Sequence, residues 1–163
     1  MPTPTPGFTV TLLPNGDDDV AFNPSGAGTN WACATANDGD TSHIKTSTNG
    51  EQDCYDMEDL AVTGTITAVR AYAWARKTST SALTMRMGIR IGSTYYYGDV
   101  ATTQTYALYG GAADGCEWTV NPSTSNPWTV SEVNNLIGFV QHAGVNGRQL
   151  RVTQLYLEVD ITP

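Results

Sequence analysis

Residues 66–91 read ITAVRAYAWARKTSTSALTMRMGIRI, and their period decides the fold. In 66–76, Val69, Ala71, Ala73 and Ala75 fall on one side, with Arg70, Tyr72, Trp74 and Arg76 on the other. In 83–91, Leu83, Met85, Met87, Ile89 and Ile91 point one way, while Thr84, Arg86 and Arg90 point the other. Side chains alternate with a period of two along a strand and 3.6 along a helix, so both segments are strands. Small alanines on one beside large aliphatics on the other let packed layers interdigitate.

FTVTLL at 8–13 alternates in the same way, TSHIKT at 41–46 and IGFVQH at 137–142 read as strands, and the run from Gln149 to Ile161 closes the chain with Leu155, Leu157, Val159 and Ile161 inward. Further strands are expected at 54–60, 94–97, 103–109 and 117–120, and at 31–35, where Trp31 and Cys33 share a face. Asn49-Gly50 and Asn146-Gly147 are strong turn dipeptides, and Asn15-Gly16 is read as the pivot of a turn over 14–19. Eight or more short strands at this spacing define an all-β protein, a two-sheet antiparallel β-sandwich that is jelly-roll-like. It occupies 8–163 as a single domain, after a Pro/Thr arm at 1–7 that is expected to be extended and either to fray or to dock on a neighbouring subunit or shell protein.

One helix interrupts the strands. In WTVNPSTSNPWTVSEVNNLIGFVQ, residues 118–141, Thr129 and Glu132 have capping-box spacing, and Trp128 and Val133 have the spacing of a hydrophobic staple. A short helix is expected near residues 130–137, ended by Gly138 and pinned to the β core by Trp128, Leu136, Ile137 and Phe139.

The 163 residues are 40% hydrophobic and only 15% charged, with a net charge of −8. The charge is uneven: residues 1–60 hold ten acids against the single base Lys45. Nucleic acid is therefore not an expected partner, because phosphate contacts need clustered Lys and Arg. No apolar run approaches a membrane span, so no membrane partner is expected either. The start, MPTPTPGF, lacks the regions of a secretory signal, which suggests assembly in the cytoplasm or a chain given in mature form.

Searching for chemistry leaves few candidates. His43 and His142 have no Cys or His at ligand spacing, and no nucleophile elbow, P-loop or HExxH occurs. Asp56, Glu58 and Asp59 lie close together, as a glycosidase pair or as a solvated stripe; no enzyme is expected. Asp17, Asp19, Asp38 and Asp40 offer hard oxygen ligands for Ca²⁺, or simply line acidic solvated turns. Cys33 and Cys54 bracket an expected hairpin and either pair as a disulfide or, with Cys116, serve as small buried hydrophobes. Tyr95, Tyr97 and Trp118 present flat apolar rings with polar tips, suited to a glycan platform or to core and interface packing.

The turn at 121–124 (NPST), Pro127-Trp128-Thr129, the segment 136–139 and the closing strand RVTQLYLEV at 151–159 together resemble a family of small structural proteins of tailed bacteriophages. Weaker echoes lie at 38–42 (DGDTS), 59–60, 69–76 and 83–91. The resemblance implies a non-enzymatic virion protein with a jelly-roll-like fold. Its expected role is a capsid decoration or stabilising protein that forms a homo-oligomer on the major capsid protein or another virion component. The alternative is a carbohydrate-binding module on a phage tail or capsid that attaches to host glycans. The cysteines, the arm and the Tyr triplet have no counterpart in the family pattern.

Overall fold

The computed structural model describes residues 6–163. Most of the arm at 1–7 therefore lies outside the described residues, and only Pro6 and Gly7 belong to them. Among the described residues, twelve strands form two antiparallel sheets.

The seven-stranded sheet contains β1 (Phe8–Leu12), β3 (Asn23–Ser25), β4 (His43–Thr46), β6 (Thr65–Lys77), β9 (Ala107–Gly110), β10 (Glu117–Trp118) and β12 (Leu150–Thr162). Its axis is the long pair β6–β12, in register from Leu150↔Lys77 to Thr162↔Thr65 apart from two bulges. The five-stranded sheet runs β2 (Pro14–Val20), β5 (Gln52–Met57), β11 (Ile137–His142), β7 (Thr84–Ile91), β8 (Thr94–Ala101).

The alternation in 66–91 places one side of each long strand in the core. Val69, Ala71, Ala73 and Ala75 of β6 are fully buried, as are Met85, Met87 and Ile89 of β7 in the opposite sheet. Leu155, Leu157 and Val159 of β12 and Val140 of β11 complete the layer between the sheets. Gly138 lies on this inner face because there is no room for more. An added Cβ would come within 2.9 Å of Met57 Sδ and 3.2 Å of Leu155 Cδ2.

Three local expectations are corrected. Residues 14–20 form a strand and not a turn: β2 is the edge of the five-stranded sheet, bulged twice against β5. Asp17, Asp18 and Asp19 face solvent there, and charge and bulges on an edge strand discourage pairing with other chains. Residues 32–34 form a single 3-10 turn, with Cys33 and Ala34 buried, in place of the strand expected at 31–35. The helix α1 spans only Val130–Asn134. Both halves of its capping box are present: Thr129 Oγ1 accepts from the Glu132 N–H, and Glu132 Oε2 accepts from the Thr129 N–H at 2.8 Å. The helix stops early because Ile137–His142 is claimed as a strand with partners on both sides, β5 and β7.

Trp128 is 5% exposed and its indole Nε1 donates to the Trp118 carbonyl at 2.9 Å. With Val133 and Leu136 it closes the core beneath the helix. A second anchor is polar. The Asp53 carboxylate, fully buried, accepts from the N–H groups of Ala21 (2.8 Å) and Phe22 (2.7 Å), the Asn30 amide (2.7 Å) and the Tyr55 hydroxyl (2.6 Å). It fixes the 21–30 segment to β5.

Candidate functional site

The strand order brings side chains from four strands onto the outer face of the five-stranded sheet. Register fixes three cross-strand rows. One is Gln52, Gln141, Arg86 and Asp99; the next is Cys54, Phe139, Gly88 and Tyr97; the third is Asp56, Ile137, Arg90 and Tyr95. Residues two apart along a strand share a face, so all three rows look outward.

Phe139 is the floor. It is 1% exposed, yet what covers it is aromatic and on the outer side: Tyr95 meets it edge-on at 4.8 Å between centroids and Tyr97 at 6.5 Å. The expectation that Phe139 pins the helix to the core is thus corrected. In the alternation of β11 its neighbours Gly138 and Val140 face inward and Phe139 faces out. Gly88, beside Phe139, is a close approach: an added Cβ would sit 2.0 Å from the Tyr96 carbonyl oxygen.

Tyr95 lies across the sheet, its hydroxyl accepting from Gln52 Nε2 at 2.8 Å. That contact bridges from β8 to β5, three inter-strand spacings or about 14 Å. Tyr97 stands higher, 45% exposed, with the Arg86 guanidinium 4.1 Å from its centroid. Arg86 is held there by a two-point pair to Asp99, Nε–Oδ1 2.8 Å and Nη2–Oδ2 3.1 Å. Arg90 pairs with Asp18 at 2.8 Å. Each carboxylate hydrogen-bonds its arginine and raises the guanidinium pKa further, so both cations stay charged. Gln141 Nε2 donates to the Gly50 carbonyl at 3.2 Å. Gln52, Arg86, Tyr95, Tyr97, Phe139 and Gln141 enclose a shallow depression of about 180 Å³. Small-molecule pockets run to about 300–1,000 Å³, so this is an open platform rather than an enclosed cleft.

Of the three rings read as a platform, the structure brings together Tyr95 and Tyr97. Trp118 is in the other sheet, on the two-residue strand β10 paired to β6, where its ring packs on the core and its carbonyl receives Trp128. The sequence reading did not place Gln52, Arg86, Asp99, Phe139 and Gln141 in the site. Alternation alone puts Phe139 and Gln141 on one side of β11, but its pairing with β5 and β7 is invisible locally.

The remaining candidates have other partners. Asp17 Oδ1 accepts from the Trp31 N–H at 2.7 Å. Asp38 accepts from the Ser42 N–H and hydroxyl and from Thr153 Oγ1. Asp40 binds Arg151 and Tyr106, which hold its carboxyl below the usual range, and lies 3.5 Å from Arg76. Asp19 stays on the outer strand β2, and among the described residues no group of three or more His, Cys, Asp or Glu is placed to hold a metal ion.

Cys33 and Cys54 are both free and buried, as is Cys116. The Cys33 thiol donates to the carbonyls of Ser25 and Ala27, whereas the Cys54 thiol lies 3.9 Å from the Tyr95 hydroxyl under the outer face. Of the two readings of these cysteines, the structure shows free buried thiols, with Cys33 on a 3-10 turn and not on a strand of a hairpin with β5. Glu58 accepts from the Leu13 N–H at 3.0 Å, while Asp56 and Asp59 are exposed. The His142 ring is buried between the Arg148 carbonyl and the Gly144 N–H. Among the described residues no helix is long and apolar enough to cross a membrane.

The architecture defines a class, the jelly-roll-like β-sandwich with one open sheet face. No family model matches the chain, and no curated protein matches it. Among solved structures it is similar in fold to the CBM36-1 domain of a multidomain xylanase from the hindgut metagenome of Trinervitermes trinervoides. That match has a TM-score of 0.50 at 8% identity and covers 93% of this chain and 96% of that one. A family 11 carbohydrate-binding module from Clostridium thermocellum, solved with a β-1,3-1,4-mixed-linked tetrasaccharide, matches with a TM-score of 0.43 at 9% identity, over 93% and 87% of the two chains.

Proposed function

We propose that this protein is a non-catalytic glycan-binding module, carried on a phage particle, that attaches the particle to host glycans. The observation that carries the reading is the outer face of the five-stranded sheet. There an exposed tyrosine over an aromatic floor is bordered by two side-chain amides and an arginine–aspartate pair. Sugars combine apolar C–H faces with ring hydroxyls, and such a face supplies an aromatic surface and fixed polar groups together. The fold shared with the CBM36-1 domain adds an analogy of architecture, not of site. The virion setting rests on the resemblance carried by 121–139 and 151–159.

Capsid decoration rests on the same resemblance and needs no ligand on this face. A glycan array separates the two. The glycan reading expects specific signals for the isolated domain and inhibition of particle attachment by the soluble hit. A silent array, with tight binding to undecorated shells, supports decoration in its place.

A further inference from the structure

The charges around this face bear on which sugars fit. Arg86 and Arg90 are its cations, and each already has a carboxylate partner, Asp99 and Asp18 respectively. An anionic ligand reaching for the Arg86 fork would have to displace Asp99 and then sit beside it. The flank is acidic as well: β2 carries Asp17, Asp18 and Asp19, and exposed Asp56 lies on β5. These acids do not line the depression itself; they stand on β2 and β5, at its β5 edge. A cationic ligand has no free carboxylate in the polar row, because Asp99 is held by Arg86. What the row leaves available suits hydroxyl groups: the remaining N–H donors of Arg86, the outer lone pairs of Asp99, the second amide N–H of Gln52 and the amide oxygen of Gln141.

Geometry adds a direction. Gln52, Gln141, Arg86 and Asp99 form one ladder row over β5, β11, β7 and β8, about 14 Å from end to end. The aromatic row runs parallel to it, one residue pair further along the strands. We infer that the groove takes an uncharged oligosaccharide chain lying across the strands, its hydroxyls along Gln52–Gln141–Arg86–Asp99 and a ring face on Tyr97. This rests on the glycan-binding reading and goes further by specifying charge and direction.

The test is native affinity electrophoresis of the protein in gels containing neutral polymers (glucomannan, arabinoxylan, mixed-linkage glucan, dextran) or acidic ones (polygalacturonate, alginate), at 20 and 500 mM NaCl. Solution titrations with a monosaccharide and a tetrasaccharide of the retarding polymer follow. The expected result is retardation by a neutral polymer, unchanged by salt, with none by the acidic ones. The tetrasaccharide should bind at least about tenfold tighter than the monosaccharide, and Gln141→Ala should lose about tenfold for the tetrasaccharide only. Salt-sensitive retardation by an acidic polymer overturns the inference but leaves glycan binding standing, as does equal affinity for one ring and four. No retardation in any gel overturns the inference and the reading beneath it.

Discussion

Replacing Asp53 by alanine tests how the 21–30 segment is held to β5. Three N–H or O–H groups lose their acceptor: the buried Phe22 N–H, the Tyr55 hydroxyl and one of the two Asn30 amide N–H groups, the other keeping the Phe22 carbonyl at 2.8 Å. Ala21 retains a second bond to the Gln52 carbonyl at 3.1 Å. An unsatisfied buried donor costs about 1–2 kcal/mol, so three cost about 3–6 kcal/mol. Relief of the desolvation cost of a buried carboxylate with no cationic partner among the described residues offsets part of this, leaving about 2–4 kcal/mol. At a urea slope of about 2 kcal/mol per molar, the unfolding midpoint should fall by about 1–2 M. Asp53→Asn should rescue little, because its NH₂ group would point at other donors. The assay is equilibrium urea unfolding followed by tryptophan fluorescence. A midpoint within about 0.3 M of the parent for Asp53→Ala would refute the reasoning, since at that slope it is worth less than about 1 kcal/mol.

Trp128→Ala removes a buried ring and its bond to the Trp118 carbonyl, and should cost about 3–5 kcal/mol in the same unfolding assay. His43 is 4% exposed with neither ring nitrogen hydrogen-bonded among the described residues, and burial, helped by Arg151 and Lys45 against Asp40, lowers its pKa below the ordinary 6.5. Its contribution is complete above pH 6.5 and is lost as pH falls toward the folded-state value, where the unfolded chain takes up the proton first; urea midpoints should decline between pH 7 and 5, and His43→Gln should flatten that slope. Arg151 and Arg70 lower the carboxyl pKa of Asp40 and Asp160, so the stability these groups contribute is complete above the ordinary carboxyl range and is lost as pH falls through that range toward the folded-state values. All three thiols should alkylate in denaturant without reductant and resist alkylation when folded, because burial raises the pKa of Cys54 and pushes Cys116 to about 11; a linked Cys33–Cys54 peptide by mass spectrometry would contradict this.

What was legible in the sequence is what local rules govern. Alternation identified β6, β7 and β12, because a strand buried on one face carries its pattern in every second residue. The capping box marked the start of α1 from two residues three apart. Its end reads too late from the sequence, at Gly138, although 137–142 also reads as a strand; only pairing with β5 and β7 decides that overlap in the strand's favour. The same dependence hid the site. Tyr95 and Tyr97 were visible as a pair on one side of β8, but Phe139 beneath them is contributed through the pairing Phe139↔Gly88. The acidic run at 17–19 read as a turn because its charges fit loops, and only its position at a sheet edge makes it a strand. Asp53 carried no signal, being one acid among several in an alternating segment.

The measurement that bears most directly on the account is a solution titration of the best glycan-array hit against the parent and Tyr97→Ala, with thermal melts of both. Tyr97 is 45% exposed but covers part of Phe139 and carries Arg86 on its face, so its truncation should lower the melting temperature modestly and leave the protein folded at the titration temperature. The loss of an aromatic contact at the centre of a binding face should weaken affinity by about thirtyfold or more. Equal affinity for the two proteins would contradict the central claim that this face is where glycans bind.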